Sequence, residues 1–203
     1  MIILPGYNVG AYYAQINADW QRKSIIDGSP KNSLPYAYID GYKMIADTVM
    51  EQLSPFDPRL DLFVYPLFFL YRQFIELLLK RIYMNTHSEA EQQNMIRTCG
   101  HNLDKLLNIN SDRIHQIIKA QIYFDNGGKI AEDQLQHQVS ECFSYISTTI
   151  QELAHYDQGS FAFRYNYNRD LSESIPNQLT VNLDALKKFT DLLCNLFYGE
   201  YGL

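Results

Sequence analysis

Residues 60–84, LDLFVYPLFFLYRQFIELLLKRIYM, are apolar on almost every side of any helix they could form, and three charges interrupt them at intervals of four: Arg72, Glu76 and Lys80. A helix that is hydrophobic all round belongs in a core. Long charged side chains are seldom fully buried unless paired. Positions four apart share one helix face, so the three charges form a single polar seam. Two readings of that seam stand. As a solvated face, its two ion pairs would contribute only about 0.3–0.5 kcal/mol each. As a site, Arg72 and Lys80 would bind phosphate while Glu76 holds them in place. The flanking Phe74, Ile75, Leu77, Leu78 and Leu79 leave this helix little surface for solvent. That favours a buried network, with His101 or Arg164 as the partner brought against it.

The rest of the chain reads as helices of the same bundle. Ile39, Tyr42, Ile45, Ala46, Val49 and Leu53 recur at threes and fours, which is helical spacing. Ser54, Pro55 and Pro58 end that helix and introduce the long one, inside which Pro66 is a possible bend. Residues 86–100 are polar and read as a loop. A short helix follows from His101 to Leu107, and a separate one carries Ile114, Ile117, Ile118 and Ile122. Asp125-Asn126-Gly127-Gly128 is a strong breaker. Residues 131–156 have the cleanest amphipathic pattern of the chain. Residues 158–181 lose it: Phe161, Phe163, Tyr165 and Tyr167 alternate, as in a short strand or extended loop. A closing helix holds Leu183, Leu186, Phe189, Leu193, Leu196 and Phe197, with Asn182 as its cap.

The expected architecture is therefore all-α, a bundle of about five or six helices. It carries an irregular N-terminal arm over residues 1–35, a single bundle domain over residues 36–203, and one extended loop near residues 158–181. A length of 203 residues, 46 % of them hydrophobic, suits one domain with a sizeable core.

Several functional classes are excluded or disfavoured. A net charge of −6 does not suit a general nucleic-acid binder, although a local basic cluster would. The five histidines form no HExxH or comparable pair, and no GxSxG, GxGxxG or phosphate-cradling loop is present. Neither a metal nor a cofactor is expected. Cys99, Cys142 and Cys194 are far apart and odd in number, as free thiols in a reducing compartment would be. The N-terminus lacks the basic start and apolar run of a secretion signal. The longest uncharged apolar run, residues 62–71, has ten residues, whereas a membrane span needs about 20. The expected location is the cytoplasm, away from membranes.

The segment DQGSFAFRYNYNR, residues 157–169, is the second candidate site. Arg164 and Arg169 are interleaved with Phe161, Phe163, Tyr165 and Tyr167, and Asn166 and Asn168 lie between. Arginine pairs phosphate and rings stack on bases, so the pattern suits a polyanion that carries bases. Equally, the rings could plug the edge of the bundle while the arginines pair Asp157 or Asp170.

Three elements in this order resemble the HEPN domains, the nucleotide-binding helical modules of higher eukaryotes and prokaryotes. They are the helix with Glu76 and Lys80, the segment Gly100-His101-Asn102-Leu103-Asp104-Lys105-Leu106, and the loop Phe163-Arg164-Tyr165-Asn166 before a last helix. The resemblance covers roughly residues 60–197. It implies a compact helical bundle that forms homodimers, and metal-independent ribonucleases of toxin–antitoxin, phage-defence or RNA-processing systems. The family's catalytic signature is an Arg, four to six intervening residues, and then a His. No His follows Arg164 at that spacing; Arg81 and His87 have it, but at the end of the long helix. Catalysis is thus left open, while binding of RNA or a nucleotide through Arg72, Glu76, Lys80, His101, Arg164, Tyr165, Asn166 and Arg169 is expected. The alternative is a non-catalytic module that binds a protein partner through its aromatic surface.

Overall fold

The structure is a computed structural model that describes residues 34–197, apart from 158, 169, 176 and 177. Six helices and no strand occur among the described residues: α1 Leu34–Met50, α2 Leu60–Met84, α3 Glu89–Cys99, α4 Leu103–Asp125, α5 Glu132–Tyr156 and α6 Leu183–Phe197. The chain folds as the all-α bundle its periodicity predicts. The arm expected over residues 1–35 lies outside the described residues, except for its last two, which already belong to α1.

α2 is the core helix. It packs along α4 and α6, while α5 lies along α4 and completes the bundle. Leu67, Phe68, Tyr71, Phe74, Ile75, Leu78, Leu79 and Ile82 of α2 are buried. They meet Leu103, Leu106, Ile114 and Ile118 of α4 and Leu186, Phe189, Leu193 and Phe197 of α6 in one continuous core. α2 is also the one helix among the described residues long and apolar enough to cross a bilayer. Its Arg72 and Glu76 are buried and bonded to other groups of this chain.

Two expected features differ. Residues 86–100 are not a loop: α3 occupies most of them, started by the Glu91 carboxylate, which accepts hydrogen bonds from Ser88 N at 2.8 Å and Ser88 Oγ at 2.6 Å. This is the reciprocal half of a capping box. Only Met95 and Cys99 of α3 are buried, so an apolar period is hard to see. The two helices expected after His101 are one, α4. Asn102 caps it, its side chain accepting from Lys105 N. Asn110 continues the inward face where an apolar residue would have signalled continuity. Its buried amide donates to Leu79 O at 3.0 Å and Leu106 O at 2.8 Å, which ties α4 to α2.

α1 is held by charge as well as by Ile39 and Ala46. Lys43 bonds both Asp47 and Asp191 of α6, and the Tyr71 hydroxyl of α2 donates to Asp47 at 2.8 Å. Burial, together with the Asp47 carboxylate, holds the Tyr71 phenol well above its ordinary range. Burial works against the Lys43 ammonium, but its two carboxylates outweigh burial and raise it.

Gly100 joins α3 to α4 with φ +56° and ψ −114°, a combination open in practice to glycine alone. A Cβ there would meet nothing within 4 Å, so any cost of substitution is backbone strain and not a clash. Gly100→Ala is expected to destabilise by about 1–3 kcal/mol in denaturant unfolding. An unchanged midpoint would show that the turn is not constrained.

Candidate functional site

The polar seam of α2 is buried. Arg72 and Glu76 are fully enclosed, and they bond each other through Arg72 Nη1 and Glu76 Oε2 at 2.9 Å. Arg72 Nη2 donates to the backbone oxygens of His101, at 2.7 Å, and Asp157, at 3.0 Å. Its Nε donates to Asp157 O at 3.2 Å and lies 3.3 Å from Asp157 Oδ2, an ion-pair contact without hydrogen-bond geometry. Glu76 Oε1 accepts from Lys80 Nζ at 2.6 Å and from His101 Nδ1 at 2.8 Å. The His101 bond requires the Nδ1–H tautomer or the imidazolium. His101 is half exposed and the Lys80 side chain mostly covered, so the network meets water only at this rim.

Burial would push the Glu76 carboxyl up. Lys80, Arg72 and His101 outweigh it and hold the group below the ordinary value of 4.5. A depressed carboxylate contributes stability in full above its unfolded value, and that contribution is lost as pH falls through the folded one.

Arg164 stands apart from this network. Its guanidinium carbon lies 5.3 Å from the ring centre of Phe69, 5.1 Å from Phe161 and 5.5 Å from Tyr165, and its Nε donates to Ser160 O. Of the short strand or extended loop that alternation allows, the segment is the loop, and it begins with a tight turn: Arg164 N and Tyr165 N both donate to Phe161 O. Phe163 alone of the four rings points inward, stacked on Phe68 at 3.7 Å, while Phe161, Tyr165 and Tyr167 are exposed. An isolated antiparallel bridge, Tyr167 to Glu173, closes the far side. The turn forms because Asp157 Oδ1 accepts from Phe161 N at 2.8 Å and Ala162 N at 3.1 Å.

Beside this turn is an open cavity of about 390 Å³, lined by Tyr65, Arg164, Tyr165, Asn166, Tyr167 and Glu173 among others. A second, of about 590 Å³, shares Tyr165 and Tyr167 and adds Tyr156 and Phe161. Of the residues singled out in the sequence, Arg72, Glu76, Lys80 and His101 come together in the buried network. Arg164, Tyr165 and Asn166 come together at the cavity, and Arg169 lies outside the described residues. The two groups do not merge into one phosphate pocket: Arg72 is sealed from solvent with all three nitrogens engaged inside the protein. Of the Arg81/His87 pair, the imidazole is engaged locally, stacked on Tyr83 at 3.6 Å with Nδ1 bonded to Tyr83 O. Sequence reasoning offered Asp157 only as a partner for the loop arginines and missed its contact with Arg72. Its place at the end of an amphipathic helix, four residues before Phe161, was the available signal. No group of three or more metal-ligating side chains is found among the described residues.

Comparisons of the chain with family models, with curated proteins and with solved structures find no match in any of the three.

Replacing Glu76 by Gln keeps the shape but leaves the buried Arg72 with only the edge of the Asp157 carboxylate as a counter-charge. The variant is expected to lose about 3 kcal/mol or more in urea unfolding at pH 7. Because the Glu76 contribution fades on acidification, the gap between wild type and variant should narrow below about pH 4.5. A loss under about 0.5 kcal/mol at neutral pH would mean that the seam is a solvated face.

Proposed function

We propose that this chain is a divergent HEPN-like binding module that takes a nucleotide, or an unpaired stretch of RNA, at the cavity beside Arg164. The observation that carries the reading is an exposed guanidinium, held across three rings and aimed by its bond to Ser160 O, at the mouth of an open cavity. Exposed Tyr165 and Tyr167 offer faces on which bases stack. Arg164 offers a charged fork for phosphate, and the Asn166 amide, which bonds no group among the described residues, offers both a donor and an acceptor to a base edge. The family likeness is supported by the way its three pieces meet: Glu76 of the helix motif bonds His101 of the second, and Arg72 grips Asp157 at the root of the third.

The reading is of binding and not of cleavage. The cavity wall described has Arg164, Asn166 and Glu173 but no imidazole, so it lacks the side chain best suited to remove a proton from a ribose hydroxyl near neutral pH. A second reading, a module for a protein partner, is favoured by the net charge of −6 and by the exposed tyrosines and arginine, residue types enriched at interfaces.

Arg164→Ala is expected to weaken binding of a short single-stranded RNA at low salt by about tenfold or more, the worth of one charge-assisted contact. Its melting temperature should hardly move, since the side chain is exposed. Wild-type protein with no affinity for RNA or nucleotides at low salt would remove this reading and leave the protein-binding module.

A further inference from the structure

The cavity beside Arg164 has a wall that generic stacking does not use. Glu173 lines it together with Tyr65, Tyr165, Tyr167, Asn166 and Arg164. The Glu173 carboxylate bonds no other group among the described residues, because what is held at this position is its backbone: Asn168 Nδ2 donates to Glu173 O, and Glu173 bridges Tyr167. The Asn166 side chain is also unengaged, while its backbone oxygen accepts from Ser174 N at 3.2 Å. The peptide chain on both sides of the cavity is thus fastened, and two polar side chains are left free on its wall.

A wall with both a guanidinium and a carboxylate sets opposing conditions. A bare anion would meet Glu173, and a cation would meet Arg164. A ligand that pairs a phosphate with a neutral, flat, donor-rich face satisfies both. Among the common bases, only guanine sets two N–H donors side by side on its Watson–Crick edge, at N1 and N2, where a carboxylate accepts both at once. Adenine and cytosine each offer one exocyclic amine, flanked on that edge by an acceptor nitrogen that a carboxylate repels. Uracil offers a single imide N–H between two carbonyls. Two-point pairing of this kind is how side chains tell bases apart, and in single strands that edge is free to be read.

We propose that the cavity is selective for guanine: Glu173 accepts from N1–H and N2–H, the tyrosines stack on the ring, and Arg164 takes the phosphate. This inference rests on the reading of the Arg164 cavity as a nucleotide site and names the base it prefers. A volume of about 390 Å³ falls within the range of small-molecule sites.

The test is titration of the full chain at low salt with GMP, AMP, CMP and UMP up to millimolar concentration, followed by intrinsic tyrosine fluorescence or calorimetry. The result expected is GMP bound about tenfold more tightly than each of the others. Glu173→Gln should level that preference while leaving affinity for AMP, CMP and UMP within about twofold. Glu173 is exposed, so the variant is expected to fold, and an unchanged melting temperature verifies it. Equal binding of all four nucleotides, or a guanine preference that survives in Glu173→Gln, would overturn the inference and leave the nucleotide site standing. Absence of binding by all four would overturn the inference, and absence of binding to a short single-stranded RNA as well would overturn the site with it.

Discussion

Two opposite charges without access to water sit in the middle of α2, and the parts of the chain around them are disposed to make that tolerable. Removing an ion from water costs several kcal/mol even after relaxation, and one partner seldom repays it. Here the repayment is shared. Arg72 faces the Glu76 carboxylate, two backbone carbonyls and the edge of the Asp157 carboxylate. Glu76 faces three donors on its two oxygens. Supplying those partners dictates tertiary structure. The chain must turn at Gly100 to bring the His101 carbonyl and ring onto α2, and it must leave α5 so that Asp157 O arrives from another direction. The ion pair therefore contributes definition more than net stability: any rearrangement that withdraws α5 or the Gly100 turn strands a buried charge.

The second charged cluster shows the contrast. Lys43, Asp47, Asp191 and Lys187 alternate in sign across α1 and α6, and Asp191 stays in part exposed. Water screens the outer members, so losing one costs less than losing Glu76. Its use is to fasten α1, which makes few helix–helix contacts of its own, to the α2–α6 pair through Tyr71 and Lys43.

The sequence was readable where burial writes a period. α2, α5 and α6 carry long apolar repeats, and each stands within a residue or two of its expected bounds. It was misleading where polar chemistry replaces burial. α3 buries only Met95 and Cys99, and its start is declared by Ser88 and Glu91, a signature that apolar counting ignores. α4 reads as two helices because its central inward position is Asn110, whose amide satisfies itself on helix carbonyls. The segment after α5 reads as a short strand or an extended loop because Phe161, Phe163, Tyr165 and Tyr167 alternate, and it is a loop. Asp157 turns the backbone there, and alternation in a turn sorts only Phe163 inward. For the candidate sites, spacing alone showed that Arg72, Glu76 and Lys80 share a face. That the face is buried followed from its flanks. That Arg164 belongs to a different place depends on chain geometry no spacing records.

Asp157 connects these halves. Its backbone oxygen and Oδ2 face Arg72, and its Oδ1 holds the two amides that start the aromatic turn. One residue thus completes the buried ion pair and sets the conformation from which Arg164, Tyr165 and Tyr167 project. Further along the turn, Ser160 is buried with φ +60° and no partner for its hydroxyl among the described residues, an arrangement that costs of order 1–3 kcal/mol and persists only where surroundings over-determine it. The surroundings here are the Asp157 bonds on one side and the Phe163–Phe68 stack on the other. A surface loop with exposed rings would ordinarily sample many shapes. This one is tied at its root to the buried Arg72–Glu76 pair, so its guanidinium and rings are held in place, and under the proposed nucleotide reading less ordering entropy would be given up on binding.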